Sequence, residues 1–91
     1  MEFEWDEAKS ETNFHERGFD FAFAAMIFEG LFIEAEDTRL DYGERRIVAI
    51  GAVEDVAIVV VYTDRAEVRR IISARRANRK ERALWRSFAG R

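Results

Sequence analysis

The sequence predicts an α+β domain, with an antiparallel sheet of about four strands flanked by two N-terminal helices and one C-terminal helix. Helix-capping signals mark both ends of the chain, and β-type apolar runs fill its middle. The turns between those runs are shorter than the roughly dozen residues that a parallel crossover needs. Because 48% of the 91 residues are hydrophobic, enough for one core, we expect a single domain over residues 1–91.

The N-terminal part predicts a short strand followed by two helices. Residues 3–5 alternate apolar and polar side chains, as in a strand. Asp6 is a suitable N-cap for a helix that runs to about Arg17, where a glycine ends it. Asp20 can cap a second helix at about Phe21–Glu29. That segment is apolar almost all round, so we expect it to lie in the core.

Four strands and a final helix are predicted in the rest of the chain. The strands are Leu31–Glu36, Arg46–Ile50, Ala57–Tyr62 and Val68–Ala74. The third of them has no polar alternation, which places it in the centre of the sheet. Asn78 and Glu81 have the spacing of a capping box at the start of the last helix, whose apolar face consists of Leu84, Trp85 and Phe88.

The composition excludes several kinds of site. Cysteine is absent and His15 is the single histidine, so thiolate metal sites, disulfides and cysteine nucleophiles are excluded. A zinc site would need mostly carboxylate ligands, which is uncommon, and we expect no metal and no cofactor. No apolar run approaches the roughly 18 residues of a membrane span, and the N-terminus lacks a signal pattern. We therefore expect a cytoplasmic protein without membrane contact.

The charges are distributed unevenly along the chain. Residues 1–64 hold 5 Lys+Arg against 16 Asp+Glu, and residues 65–91 hold 10 against 2. Nine of the ten basic residues in the second segment are arginines, whose guanidinium groups can bind phosphate oxygens in pairs. The basic segment is either an anion-binding surface or a set of internal partners for the acidic segment, and the two interpretations are compatible.

Several motifs resemble one known family. Residues 3–13 follow the pattern F-x-W-D-x-x-K-x-x-x-N before a glycine-stopped helix. A Gly-Glu-Arg turn at 43–45, VVVYTDR at 59–65 and RIISARR at 70–76 continue the match in order over nearly the whole chain. In these features the chain resembles the BrnT-type toxins.

The resemblance implies a RelE-like fold and a ribonuclease toxin of a type II toxin-antitoxin system that stops translation. It also implies a BrnA-type antitoxin, which would bind the toxin in a hetero-oligomer and contact operator DNA through its own DNA-binding domain. The substrate would be RNA. Periodicity and charge are compatible with these functions but do not indicate them.

Metal-free RNA cleavage needs a base for the 2′-hydroxyl, positive charge at the phosphate and a proton for the leaving oxygen. Arg65 and Arg75 are the candidates for the positive charge. His15 is the candidate proton carrier and Glu44 the candidate base, with Glu67 as the alternative base; either carboxylate would need a pKa raised by burial. Each of these two also has a simpler interpretation, His15 as a solvated helix residue and Glu44 as a turn carboxylate paired with Arg45 or its neighbour.

Further residues are candidates for RNA binding. Lys9, Arg45 and Arg76 would contact phosphates. Tyr62 and Trp85 would stack on unpaired bases, a common way to hold single-stranded RNA. Trp85 would alternatively pack in the core.

The chain departs from the family pattern at two places. Glu16 and Arg17 replace the usual Lys-His pair, and Trp85 replaces a frequent tyrosine that could transfer a proton. Two alternatives to the enzyme follow from these changes. One is a catalytically weakened member that acts as an antitoxin-binding or regulatory partner, and the other is a non-catalytic RNA-binding module.

Overall fold

The computed structural model describes residues 1–90 and has the α+β class that the sequence predicts. The order of elements is β1 (Glu2–Trp5), α1 (Glu7–Arg17), α2 (Phe21–Ala25), a 3₁₀ turn (Met26–Glu29), β2 (Phe32–Asp37), β3 (Arg46–Val53), β4 (Val56–Arg65), β5 (Val68–Arg76) and α3 (Arg79–Ala89). Each helix begins at its predicted N-cap, which is Asp6 for α1, Asp20 for α2 and Asn78 for α3. The predicted capping box between Asn78 and Glu81 is formed.

The sheet corrects the prediction of about four antiparallel strands. It has five strands in the order β1-β5-β4-β3-β2, with β4 in the centre as predicted. β1 is the fifth strand, and it pairs with β5 in parallel, while the other pairs are antiparallel. Parallel strands need a long connection, and the chain between β1 and β5 contains α1, α2, the 3₁₀ turn and three strands. The short turns between neighbouring strands give no sign of this pairing.

One face of the sheet carries the main core. Ile47, Ile58, Tyr62 and Ile71 point from the strands toward α2 and the 3₁₀ turn, which contributes Ile27. The predicted second helix is largely buried as expected, but it tightens into the 3₁₀ turn after Ala25.

The opposite face is only partly covered. α3 packs there against a small cluster of Ile50, Val59 and Ala77, to which Trp85 adds its ring. No residue of α3 within its described range is fully buried, and Leu84 is 57% exposed. We call the side of the sheet away from α1 and α2 the open face. Among residues 1–90, no helix has the length and apolar character needed to cross a membrane.

Candidate nucleic-acid interface

Strand alternation places four arginines on the open face. Ile47, Tyr62, Ile71 and Ala74 lie in the main core, so their neighbours in the strands point the other way. Those neighbours include Arg46 on β3 and Arg70 and Arg75 on β5, and Arg65, three positions after the core residue Tyr62 on β4, points the same way. The half-buried side chains of Val48 and Val61 lie between them. An apolar surface surrounded by cations is suited to binding a strand of nucleic acid.

Glu44 joins two of these arginines. Its Oε1 lies 3.2 Å from Nε of Arg46, and its Oε2 lies 3.4 Å from Nη2 of Arg65. The guanidinium of Arg46 also lies 4.0 Å from the ring centre of Tyr42. The predicted simpler role of Glu44, a contact with Arg45 or its neighbour, is confirmed for Arg46. Arg65 is 66% exposed and remains accessible to a ligand.

The loop between β2 and β3 adds a further cation. Arg39 donates to both carboxylate oxygens of Asp37, at 3.0 and 2.9 Å, and Tyr42 donates to the same carboxylate at 3.1 Å. The hydrogen bonds from Arg39 hold the pKa of Asp37 well below its usual range and raise the pKa of Arg39. Asp37 thereby anchors the side chains of Arg39 and Tyr42.

Arg75 links the sheet to α3. It donates two hydrogen bonds to Glu81, at 2.7 and 2.8 Å. These bonds raise the pKa of Arg75 and lower the pKa of Glu81. The positive charge of Arg39 lowers the pKa of Arg75, which shows that the two guanidinium groups repel each other. Between the two ends of the face, Arg70 lies 3.5 Å from Glu4.

Arg65 and Arg75 share a face but do not meet. Arg75 is the partner of Val59, which precedes Arg65 by six positions on β4. At about 3.3 Å per residue, the two α-carbons are about 20 Å apart. Arg65 binds Glu44 and Arg75 binds Glu81, so in this structure the two guanidinium groups contact carboxylates at opposite ends of the face.

The predicted proton carrier lies elsewhere. His15 is on α1, which packs on α2 and the edge of β5, and it is 69% exposed. Its Nε2 is 3.9 Å from Glu11, and the same depression is lined by Glu7 and Asp20. These acidic neighbours would repel a phosphate, so the structure does not bring His15 into the candidate site.

Three predicted RNA contacts also lie off the open face. Lys9 borders a groove between α1 and β5, and Arg76 points toward the ring of Phe19, 5.8 Å away. Arg45 pairs with Glu36 at 2.7 Å.

The two predicted stacking rings have different surroundings. Tyr62 is 2% exposed, donates its hydroxyl hydrogen to Glu34 and lies under the guanidinium of Arg69. Burial, and then the bond to Glu34, raise the pKa of its hydroxyl. A base has no access to this ring, so the prediction that Tyr62 stacks on RNA does not fit the structure. Trp85 is half-buried, with its ring 6.0 Å from that of Phe88. It therefore packs on its neighbours and still reaches the surface.

Sequence reasoning missed Arg39, Tyr42 and Arg46. Alternation along β3 was the available signal for Arg46, because its neighbour Ile47 is apolar. Nothing in the sequence signalled the loop contacts of Arg39 and Tyr42. Among residues 1–90, no group of three or more His, Cys, Asp or Glu side chains is arranged to hold a metal ion.

A family model described as ribonuclease toxin, BrnT, of type II toxin-antitoxin system matches residues 5–81. The match spans the strands and the loop that build the open face, and it ends in the first turn of α3. No curated protein matches the chain.

Proposed function

The chain belongs to the BrnT family of ribonuclease toxins of type II toxin-antitoxin systems, and on this premise we propose that it cleaves RNA on the open face. We propose further that cleavage needs no metal and stops translation in the cytoplasm. The 2′-oxygen attacks the adjacent phosphorus, the bond from phosphorus to the 5′-oxygen breaks, and the 5′-oxygen takes its proton from water. The observation that supports the location is the set of four arginines on one exposed side of the sheet.

The arginine contacts support a role in charge stabilisation. Glu44 holds Arg46 and Arg65 in place before a ligand arrives. A guanidinium that is already oriented gains more from the charge that develops on the phosphate, because little reorganisation is needed. A phosphate near Arg65 would replace the long 3.4 Å contact to Glu44 with a charge-assisted bond.

Glu44 is the carboxylate that we assign as the base. When a phosphate takes over the contact of Arg65, one oxygen of Glu44 becomes free to accept the proton of the 2′-hydroxyl. His15 has no part in this step because it lies on α1, among acidic side chains.

We propose that a BrnA-type antitoxin neutralises the chain in a hetero-oligomer and contacts operator DNA, while the toxin itself does not. Membership of a type II system supports an antitoxin in general. An antitoxin that covers the open face would block the arginines directly.

The test is cleavage of a labelled RNA by the purified chain in the presence of a chelator. We expect Arg65→Ala to lower the cleavage rate by about 10²–10³-fold, the size of effect seen when one charge-stabilising donor is removed. Arg17→Ala, at the end of α1, is the matched control and should keep the rate. Loss of cleavage on chelation, or an unchanged rate in Arg65→Ala, would contradict the proposal.

A second candidate function is an antitoxin-binding member without catalysis. The pairing of Arg46, Arg65, Arg70 and Arg75 with carboxylates favours it, because each pair must open before RNA binds. Normal growth and intact RNA on strong expression, together with tight antitoxin binding, would support this alternative.

A further inference from the structure

The β3–β4 hairpin and α3 form a cavity on the open face, apart from the four arginines described above. It has a volume of about 220 Å³ and is lined by Ala52, Asp55, Ala57, Arg82, Trp85 and Arg86. Ala52 and Ala57 are directly paired across the two strands, and their small side chains leave a flat floor. The volume is below the roughly 300 Å³ at which sites for drug-sized ligands begin, so the cavity suits a single flat group.

The polar groups around this cavity are not satisfied by one another. Within residues 1–90, the side chains of Asp55, Trp85 and Arg86 make no hydrogen bond or ion pair, and Arg82 uses one nitrogen for the carbonyl of Ala77. The four arginines of the open face, by contrast, each contact a carboxylate. A carboxylate, an indole and two guanidinium groups therefore line one cavity, and most of their hydrogen-bond donors and acceptors have no partner within the protein.

We infer that this cavity is a subsite for a guanine nucleotide of single-stranded RNA, and the inference rests on the proposed RNA-cleaving function. Trp85 offers its ring for stacking on the base above the alanine floor. Asp55 can accept two hydrogen bonds from one base edge, and guanine presents two donors there, at N1 and N2. Arg82 and Arg86 supply the positive charge for the flanking phosphates.

The carboxylate of Asp55 would determine which RNA base the cavity selects. Adenine and cytosine each offer one exocyclic amino group beside an acceptor nitrogen, and uracil offers one N–H between two carbonyl oxygens. An isolated phosphate would be repelled by Asp55, so the cavity is not simply an anion site. Guanine is the base whose donors match both oxygens of Asp55.

The backbone at the hairpin allows a clean test. Asp55 has φ 69° and Glu54 has φ 49°, both in the left-handed region. Asparagine is among the residues that tolerate this region best, so Asp55→Asn should fold normally. The substitution replaces one acceptor oxygen with a donor and removes the charge. Glu54→Gln is the matched control, because Glu54 is exposed, adjacent and outside the cavity.

The experiment measures binding by fluorescence anisotropy with 2′-O-methyl oligonucleotides of about eight residues, which cannot be cleaved through the 2′-oxygen. An oligouridine is compared with the same oligomer carrying one central guanosine or one adenosine. We expect the guanosine oligomer to bind about tenfold more tightly than the adenosine oligomer, as one bidentate pair would give. Asp55→Asn should reduce this preference to less than about twofold, Glu54→Gln should keep it, and Trp85→Leu should weaken binding of all three oligomers.

Absence of a guanine preference, or a preference that survives Asp55→Asn, overturns the inference. So does a result in which Asp55→Asn and Trp85→Leu weaken antitoxin binding and leave oligonucleotide binding unchanged. The outcome is independent of the cleavage assay. A chain that cleaves RNA without a guanine preference refutes only the subsite, and a guanine preference in a chain that never cleaves RNA refutes only the proposed catalysis.

Discussion

Replacement of Glu81 tests how α3 is held on the sheet. The carboxylate of Glu81 accepts two hydrogen bonds from Arg75 and one from the backbone N–H of Asn78, the last at 2.8 Å. No residue of α3 in its described range is fully buried, so these polar contacts add to the packing of Trp85 in attaching the helix to the sheet. Glu81→Gln removes the charge and keeps an acceptor for the Asn78 N–H, whereas Glu81→Ala removes both the charge and that acceptor; the bond from the Glu81 backbone N–H to the Asn78 side chain remains in both variants.

The two substitutions should differ in cost. Loss of the hydrogen bond from the Asn78 N–H to the Glu81 side chain costs about 1 kcal/mol. The ion pair is worth less than a buried one because Arg75 is 47% exposed and water screens it, so we take about 0.5 kcal/mol. We therefore expect Glu81→Gln to lower the free energy of unfolding by about 0.5 kcal/mol and Glu81→Ala by about 1.5 kcal/mol. In a domain of this size, the larger effect is roughly 6–12 °C in Tm.

The pH dependence separates the charge from the cap. Because the pKa of Glu81 is lowered in the folded state, the ion pair stabilises the protein above the ordinary carboxyl pKa of 4.5. That contribution is lost as the pH falls through the lower, folded pKa. Urea unfolding at neutral pH should show the difference between wild type and Glu81→Gln, and unfolding near pH 3 should show a smaller one. A difference that is constant over this range would refute the assigned role of the charge.

Three other predictions concern the core and two predicted site residues, Tyr62 and His15, that lie off the open face. Gly51→Ala should cost about 1–3 kcal/mol in denaturant unfolding, since a Cβ there would lie 2.7 Å from Cβ of Ile27; a neutral effect would contradict the close packing. Tyr62→Phe should lower stability by about 0.5–1.5 kcal/mol through loss of the bond to Glu34, with RNA affinity in anisotropy unchanged, and a weaker affinity would return Tyr62 to the binding surface. His15→Ala should change the rate of RNA cleavage by less than about twofold, because His15 lies outside the open face; a loss of tenfold or more would show that α1 takes part in catalysis.

The sequence predicted local features better than long-range ones. The caps at Asp6, Asp20 and Asn78 are local, since each side chain binds a backbone N–H three residues on, and all three were predicted. The parallel pairing of β1 with β5 joins residues more than sixty positions apart, and no local pattern carries that information. The class of the fold and the five strand segments were therefore accessible from the sequence, but the parallel pairing that adds β1 to the sheet was not.

The predictions about the candidate site show the same difference between local and long-range features. Alternation within one strand shows that Arg69 and Arg70 face opposite sides, and the structure agrees, with Arg69 over Tyr62 and Arg70 beside Glu4. Whether Arg65 and Arg75 lie close together depends on the register of β4 with β5, which includes an irregularity after Val61. Register is set by packing across strands, so sequence reasoning grouped two arginines that the sheet holds apart.

The uneven charge along the chain also has a structural explanation. Arg65, Arg69 and Arg70, from the basic segment, pair with Glu44, Asp64 and Glu4 of the acidic segment, so part of the asymmetry is internal pairing. Within residues 1–90, Arg79, Arg82 and Arg86 of α3 form no ion pair, and Glu81, the single acidic residue of that helix, binds Arg75. Internal pairing therefore accounts for the arginines of the sheet, and the anion-binding interpretation remains a prediction for α3. If α3 is the part whose cations remain available, its arginines should control the affinity for RNA, while the paired arginines of the sheet act on the phosphate at which cleavage occurs.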